Sequence, residues 1–383
     1  MSNAPSPDPH LSSAPAWTDT RRQADFNSWL SGLAPRHGLS IESLRSASAD
    51  ASFRRYFRID SGLGSRIIMD APPDQEDCRP FARVAQLMHA ANVKVPQVLA
   101  WDQANGFMLL TDLGAQTMLQ AINRDDPHAN QHWYLQAIEA LVAWQVASVP
   151  GVLPSYSAER LRTEMELFPH WYLAEHRKVA VEGELRSTLD ESFSQIVQNN
   201  LSWSSVYVHR DFMPRNLMIA APGPGLSSAP RDPAVASGAP AAQHHDARIG
   251  VLDFQDAVYG PITYDIASLM RDAFLSWDED FCLDITVRYW EKARKTGLPV
   301  GDDFGEFYRG VEWMGLQRHL KVAGIFARLT LRDGKPQYLA DTPRFIHYIR
   351  TTCARYRELK PLLRLIEKVE GIEIQSAYAF GRL

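Results

Sequence analysis

The apolar pattern of this 383-residue chain shifts from mostly short β-type runs to a mostly 3.6-residue period near Thr111-Asp112-Leu113-Gly114. Ahead of that point stand short β-type runs. Ser52–Ile59 (SFRRYFRI) and Ser65–Asp70 (SRIIMD) flank the hairpin signal Ser61-Gly62-Leu63-Gly64, and Gln97–Trp101 and Gly106–Thr111 follow. Between the pairs, Arg79–Ala91 puts Phe81, Val84, Ala85 and Met88 on one helical face. Thr18–Leu33 reads as a first amphipathic helix, with Thr18 or Asp19 as its cap. Beyond Asp112 the period is mostly 3.6, and helices are expected near 131–147, 158–178, 183–199, 264–275, 278–296, 303–329 and 342–357. Only 206–253 interrupts them with β-type segments. The expected architecture is α+β and bilobal. A disordered tail over 1–16 leads into a small lobe over 17–112, with five antiparallel strands and one inserted helix. A larger, mostly helical lobe follows over 113–383.

Composition narrows the classes of function. The chain is 45% apolar, enough for a large core, and carries a formal net charge of −5 with no basic stripe, which argues against nucleic acid. Cys78, Cys282 and Cys353 lie far apart without metal-ligand spacing and read as reduced core thiols. The first residues lack the basic and apolar regions of a signal peptide, and no apolar run approaches the roughly 18 residues of a membrane span. A soluble, cytoplasmic monomer is expected. The segment 221–247 is rich in Pro, Ala, Ser and Gly and reads as a disordered loop between strands at Leu217–Ile219 and Ile249–Leu252. His244 and His245 within it read as solvated rather than as metal ligands.

The chemistry-bearing segment is His209-Arg210-Asp211-Phe212-Met213-Pro214-Arg215-Asn216, followed after an apolar run by Asp253-Phe254-Gln255. The string H-R-D-x4-N arises by chance in about one chain in a thousand of this length. Asp211 is the candidate base that orients a hydroxyl and accepts its proton. Asn216 and Asp253 offer a neutral and an anionic oxygen, hard donors suited to Mg²⁺ on the phosphates of ATP. Arg210 and Arg215 are placed to neutralise phosphate charge, or Arg210 pairs with a nearby carboxylate. His209 reads as a buttress of the loop backbone, since such chemistry requires no histidine. Asp265 reads as structural, a helix cap or a clamp beneath the loop. Asp256 stands either towards the substrate or on the surface.

At these residues the chain resembles the aminoglycoside-phosphotransferase-like kinases. The resemblance covers most of 40–330 and rests on HRDFMPRN and on VLDFQDAVYGPITYD at Val251–Asp265. DASFRRYFRI, IIMDAPP, EDCRPF, GFMLLTDLG and WMGLQRHLKVAGIFARL narrow it to the bacterial anomeric sugar kinases of cell-wall recycling, which phosphorylate N-acetylmuramate and N-acetylglucosamine at C1. The resemblance implies a protein-kinase-like fold, ATP and Mg²⁺ as cofactors, and an amino sugar as substrate. It also implies Asp211 as base, Asn216 and Asp253 as metal ligands, and the backbone of Thr111, Asp112 and Leu113 against adenine. Asp50 to Arg55, including Ser52, Phe53, Arg54 and Arg55, would stand where a loop covers the phosphates.

Two features depart from that pattern. There is no G-x-G-x-x-G loop, and the strand that usually carries a lysine reads Ile67-Ile68-Met69-Asp70. Arg54 or Arg55 is the candidate replacement. Alternation sends only one of them to the cleft, leaving the other as a solvated surface arginine. For the sugar, Asp256, Arg215, Gln317 and Arg318 are the candidates, with Lys321 on the same helical face as Gln317. The plainer expectation for 313–329 is an amphipathic surface helix. Trp171 and Trp313 are candidate sugar platforms, although most of ten tryptophans should pack in the core. Other readings are a kinase of another small alcohol, such as an aminoglycoside or choline-like molecule, and a nucleotide-binding module without catalysis.

Overall fold

The computed structural model describes residues 17, 19–49, 53–219 and 246–372. The expected tail over 1–16 and nearly all of the 221–247 loop, with His244 and His245, lie outside the described residues. In chain order the elements are α1 (Thr20–His37), β1 (Leu39–Ala49), β2 (Arg55–Ser61), β3 (Gly64–Asp70), α2 (Arg79–Ala90), β4 (Val98–Asp102), β5 (Phe107–Thr111) and α3 (Met118–Ala121). Then come α4 (Gln131–Val146), α5 (Ala158–Met165), α6 (Gly183–Leu201), β6 (Ser205–Val208), β7 (Leu217–Met218), β8 (Gly250–Val251) and β9 (Val258–Pro261). Five helices close the chain: α7 (Thr263–Met270), α8 (Glu279–Lys295), α9 (Phe304–Leu331), α10 (Thr342–Arg355) and α11 (Lys360–Glu370). The fold is α+β and protein-kinase-like. The chain forms two compact units, Met1–Ile122 with Arg215–Asp256, and Asn123–Pro214 with Ala257–Leu383.

The first unit is built on an antiparallel sheet of order β1-β2-β3-β5-β4. Alternation sends Phe57, Ile59, Ile68, Phe107 and Leu109 to one face, where Phe26, Leu30 and Leu33 of α1 cover them. Asp19 caps α1 by accepting the backbone N–H groups of Arg21 and Arg22, and Gly38 closes it in the left-handed region at φ 60°. β1 is the strand that no alternating run marks, because Ser40, Ser43, Ser46 and Ser48 break its apolar pattern. Asp70 shares the α1 face and is wholly buried. Arg22 Nε and Arg55 Nε each donate to it at 2.9 Å. Arg55 also lies 4.0 Å over the Trp17 ring, so it is a packed partner of Asp70 and not the bare surface arginine that alternation allowed. Gly106 turns β4 into β5 at φ 71°, where a Cβ would stand 1.9 Å from the Ala71 carbonyl oxygen. Only glycine fits there.

The second unit is organised around α9. Its Leu316, Leu320, Ala323, Phe326 and Ala327 pack against Phe168, Tyr172, Leu189, Phe193, Ile196, Phe345 and Ile349. The expectation of a surface helix over 313–329 fails. Gln317, Arg318, His319 and Lys321 are all buried, because helices lie on several sides of α9 and its charges meet partners from other elements. The expected helix over 158–178 divides between Met165 and Phe168. α5 stops at Met165, and 168–176 winds as a π-helix, with Arg177 N donating to the Tyr172 carbonyl five residues back. The helix expected over 264–275 ends at Met270, where Asp272 instead accepts the Phe274 N–H in a local turn. β9 pairs antiparallel with β6 through Tyr207 and Tyr259.

Gly324 lets α9 pass close to the chain between α5 and the π-helix, since a Cβ there would meet the Leu167 carbonyl carbon at 2.3 Å and its oxygen at 2.4 Å. Alanine ordinarily stabilises a helix interior by about 1 kcal/mol over glycine. Gly324→Ala is expected to act in the opposite sense, lowering stability by about 1–3 kcal/mol through overpacking, as read from a denaturant midpoint. A midpoint at or above wild type would refute the close approach.

Candidate active site

The buried strand β6 delivers the chain to His209-Arg210-Asp211, a loop without repeating hydrogen bonds of its own. Asp265, in the first turn of α7 and wholly buried, accepts the His209 N–H at 2.7 Å with one carboxylate oxygen and the Arg210 N–H at 3.0 Å with the other. Burial pushes the Asp265 carboxyl up, against the pull of His209 and these two donors. Arg210 sits in the left-handed region at φ 79°, an unfavourable conformation for a non-glycine residue that the clamp sustains. His209 Nδ1 accepts the Asp211 N–H at 3.2 Å, which makes the histidine a backbone buttress.

The side chain of Asp211 is 37% exposed while the charges behind it are buried. Arg318 Nη1 donates to the Arg210 carbonyl, and its Nη2 lies 4.0 Å from Asp211 Oδ1. Burial pushes the Asp211 carboxyl up, but Lys321, Arg318 and Arg210 together outweigh that and hold it below the usual carboxylate range. A base must be unprotonated to act, and these three cations favour that form. The cations are themselves balanced by Glu164 of α5, whose carboxylate takes Arg210 Nη2 at 2.5 Å, Lys321 Nζ at 3.3 Å, Gln317 Nε2 at 3.3 Å and the Tyr156 hydroxyl. Arg210 is therefore the carboxylate-paired arginine of the two readings. Burial raises the Glu164 carboxyl, and Lys321 and Arg210 bring it below its ordinary value.

The first unit carries the other half of the motif. Asn216 ends the short turn Pro214–Asn216, and its carbonyl accepts the Leu252 N–H at 2.9 Å. Asn216 Nδ2 donates to Asp253 Oδ2 at 3.2 Å, and Gln255 Nε2 donates to Asp253 Oδ1 at 2.8 Å. Asp253 is exposed and left-handed at φ 63°, a second unfavourable backbone conformation. The Asn216 amide faces Asp253 with its nitrogen, and its oxygen together with the Asp253 carboxylate would be hard donors of the kind a divalent cation takes. Phe254 turns inward and packs on Phe81 of α2, ring centroids 4.9 Å apart.

The remaining sequence candidates fall out as follows. Ser52 lies outside the described residues, and Phe53 is 65% exposed. Arg54 Nη2 lies 3.0 Å from Glu76 Oε2. Thr111 ends β5 and its hydroxyl accepts the Gln97 N–H. Asp112 is taken up structurally by Arg58, Ser65 and the Gly114 N–H, which outweigh burial and hold its carboxyl low. Leu113 packs where a Gly250 side chain would stand. Arg215 and Asp256 are exposed. Trp313 is buried and Trp171 packs on the same helical core, so both serve packing. Glu164 and Tyr156 carry no sequence signal. Each is an ordinary residue of its own segment, made significant by partners from remote segments.

The model of the phosphotransferase enzyme family matches residues 43–227 and 243–303 of this chain. The chain belongs to that family. It is a phosphotransferase with an alcohol acceptor. Over 364 residues it is 44% identical to the N-acetylmuramate/N-acetylglucosamine kinase of Pseudomonas aeruginosa, covering 93% of this chain and 99% of that protein. It is 43% identical to the protein of the same name from Neisseria meningitidis, over 94% of this chain and 100% of the other. Among solved structures, a choline/ethanolamine kinase family protein from Mesorhizobium loti matches with a TM-score of 0.55 at 12% identity, covering 91% and 99% of the two chains. Aminoglycoside 2′-phosphotransferase-IIIa matches with a TM-score of 0.54 at 14% identity, over 87% and 99%. These two share the fold.

Replacing Glu164 by Gln leaves Lys321 and Arg210 without their anion and is expected to cost about 3–5 kcal/mol at neutral pH. The folded-state pKa of Glu164 lies below its unfolded value, so its contribution is complete at neutral pH and lost as pH falls through the folded-state pKa. Thermal midpoints of wild type and Glu164→Gln should therefore converge on acidification. A gap independent of pH would contradict the charge balance.

Proposed function

We propose that this protein is an ATP- and Mg²⁺-dependent kinase that phosphorylates the anomeric C1 hydroxyl of N-acetylmuramate and N-acetylglucosamine, in the recycling of peptidoglycan. The observation that carries the reaction class is the solvent-reaching carboxylate of Asp211 on a loop held by Asp265 and Arg318. The sugar rests on relatives that bear this name and match almost end to end at 41–44% identity. An ATP-consuming sugar kinase with three buried free thiols works in the cytoplasm.

In this reading Asp211 accepts the proton of the C1 hydroxyl as the sugar oxygen bonds to the γ-phosphorus of ATP, and the bond from that phosphorus to the β-phosphate bridge breaks to release ADP. Asn216 and Asp253 hold the Mg²⁺, which when bound supplies positive charge to the phosphate chain. The backbone of Thr111, Asp112 and Leu113 meets adenine, and Phe53 and Arg54 stand at the phosphates, while Arg55 is held by Asp70. Arg215 and Asp256 are the exposed residues offered to the sugar, while the buried Arg318 and Gln317 hold the Arg210 carbonyl and Glu164.

Asp211→Asn is expected to lower kcat by about 10²–10⁴-fold with the fold intact. A ³¹P spectrum of the product from N-acetylmuramate should show a phosphate coupled to the anomeric proton. A C6 phosphate would sink the anomeric assignment. Lys321 is the foremost cation depressing Asp211. In Lys321→Met the acid limb of kcat/KM is expected to move to higher pH, and an unmoved limb would remove Asp211 as the titrating base.

A further inference from the structure

Each strand cation of the first unit's sheet can be followed to a partner. Arg45 meets Asp60, Arg55 meets Asp70, and Arg58 meets Asp112. Arg66 donates to the carbonyls of Leu63 and Ser65. On the sheet face away from α1, β3 presents Ile67 and Met69, with Met69 opposite Tyr56. No lysine stands there. Arg54 belongs to that face, since it hydrogen bonds Tyr56, whose neighbours Arg55 and Phe57 look the other way. Its side chain is 10% exposed, and its Nη2 meets Oε2 of Glu76, whose side chain is 15% exposed, at 3.0 Å.

Glu76 stands just ahead of α2, and Phe81 in the first turn of that helix packs on Phe254, the residue after Asp253. One helix start therefore ties an arginine–glutamate pair to the metal-binding aspartate. Phosphoryl transfer on this kind of fold uses a lysine–glutamate pair of this polarity on the nucleotide phosphates. The planar fork of a guanidinium matches phosphate oxygens. Such a pair, largely removed from water, is weak as a stabilising device, which leaves a ligand as the better reason for it.

We propose that Arg54, oriented by Glu76, is the cation that binds the nucleotide phosphates in place of the absent third-strand lysine, and that Arg55 is structural. This rests on the kinase reading above, but its test does not require turnover. In direct binding to the full chain, Arg54→Met is expected to weaken ATP about 10–100-fold and leave adenosine within twofold of wild type, while Arg54→Lys retains most ATP affinity. Arg55→Met should bind ATP as wild type does and melt at a lower temperature. Glu76→Gln, a positioning change, should raise the ATP KM with the sugar KM unmoved. If Arg54→Met does not fold, Arg54→Gln takes the same comparison.

The proposal is overturned if the Arg54 variant binds ATP like wild type, or if ATP and adenosine weaken equally. Wild type that binds ATP through Arg54 but phosphorylates neither sugar would defeat the substrate assignment and leave this one standing.

Discussion

The loop that presents Asp211 has no ladder of its own, and one buried carboxylate supplies what the ladder would. Asp265 takes two consecutive backbone N–H groups, from His209 and Arg210, and so stabilises the left-handed turn at Arg210. Hydrogen bonds from neutral donors to a charged acceptor inside a protein are strong, and leaving either partner unmade costs more than a typical bond contributes. The direction of the Asp211 side chain follows from that turn. So does the position of the Arg210 carbonyl, which Arg318 then grips from α9.

Around this loop the second unit solves a charge problem. Three cations, Arg210, Arg318 and Lys321, surround the base, and their effect on it is to keep it ionised. Left alone they would be a costly concentration of buried positive charge. Glu164 offsets two of them, and the Tyr156 hydroxyl and Gln317 amide complete its hydrogen bonds. The first unit shows the same economy at Asp70, where one fully buried carboxylate gathers Arg22 from α1 and Arg55 from β2. In both units a buried anion joins elements distant in sequence, so the fold and the charge arrangement depend on each other.

Long periodic segments were the most legible part of the chain. α4, α6, α8, α9 and α10 lie within a few residues of where the 3.6 period put them, because each has an apolar face long enough to register. The failures have local causes. β1 is too rich in serine to show alternation, and β9 hides in a Gly-Pro sequence that resembles a turn. α7 ends early because Asp272 prefers its own local turn to another helical residue. At the site, the positions of Asp211, Asn216 and Asp253 stood out by spacing. The partners of Asp211 did not, since Glu164 reads as one more charge on a helix and Lys321 as one more solvated face.

The order of residue types along the chain determined the strand-rich start, the helical remainder, the family and the reaction class, because each is written in spacing over short distances. Tertiary structure alone decided which charges are buried and with whom. It made Arg55 a partner of Asp70 and Arg54 a partner of Glu76, although the two arginines are neighbours of the same type. It also turned the polar residues of α9 inward. The physical reason is that the energy of a charge depends on solvent access and on counter-charges within a few ångströms, and both are set by segments that meet only when the chain has folded.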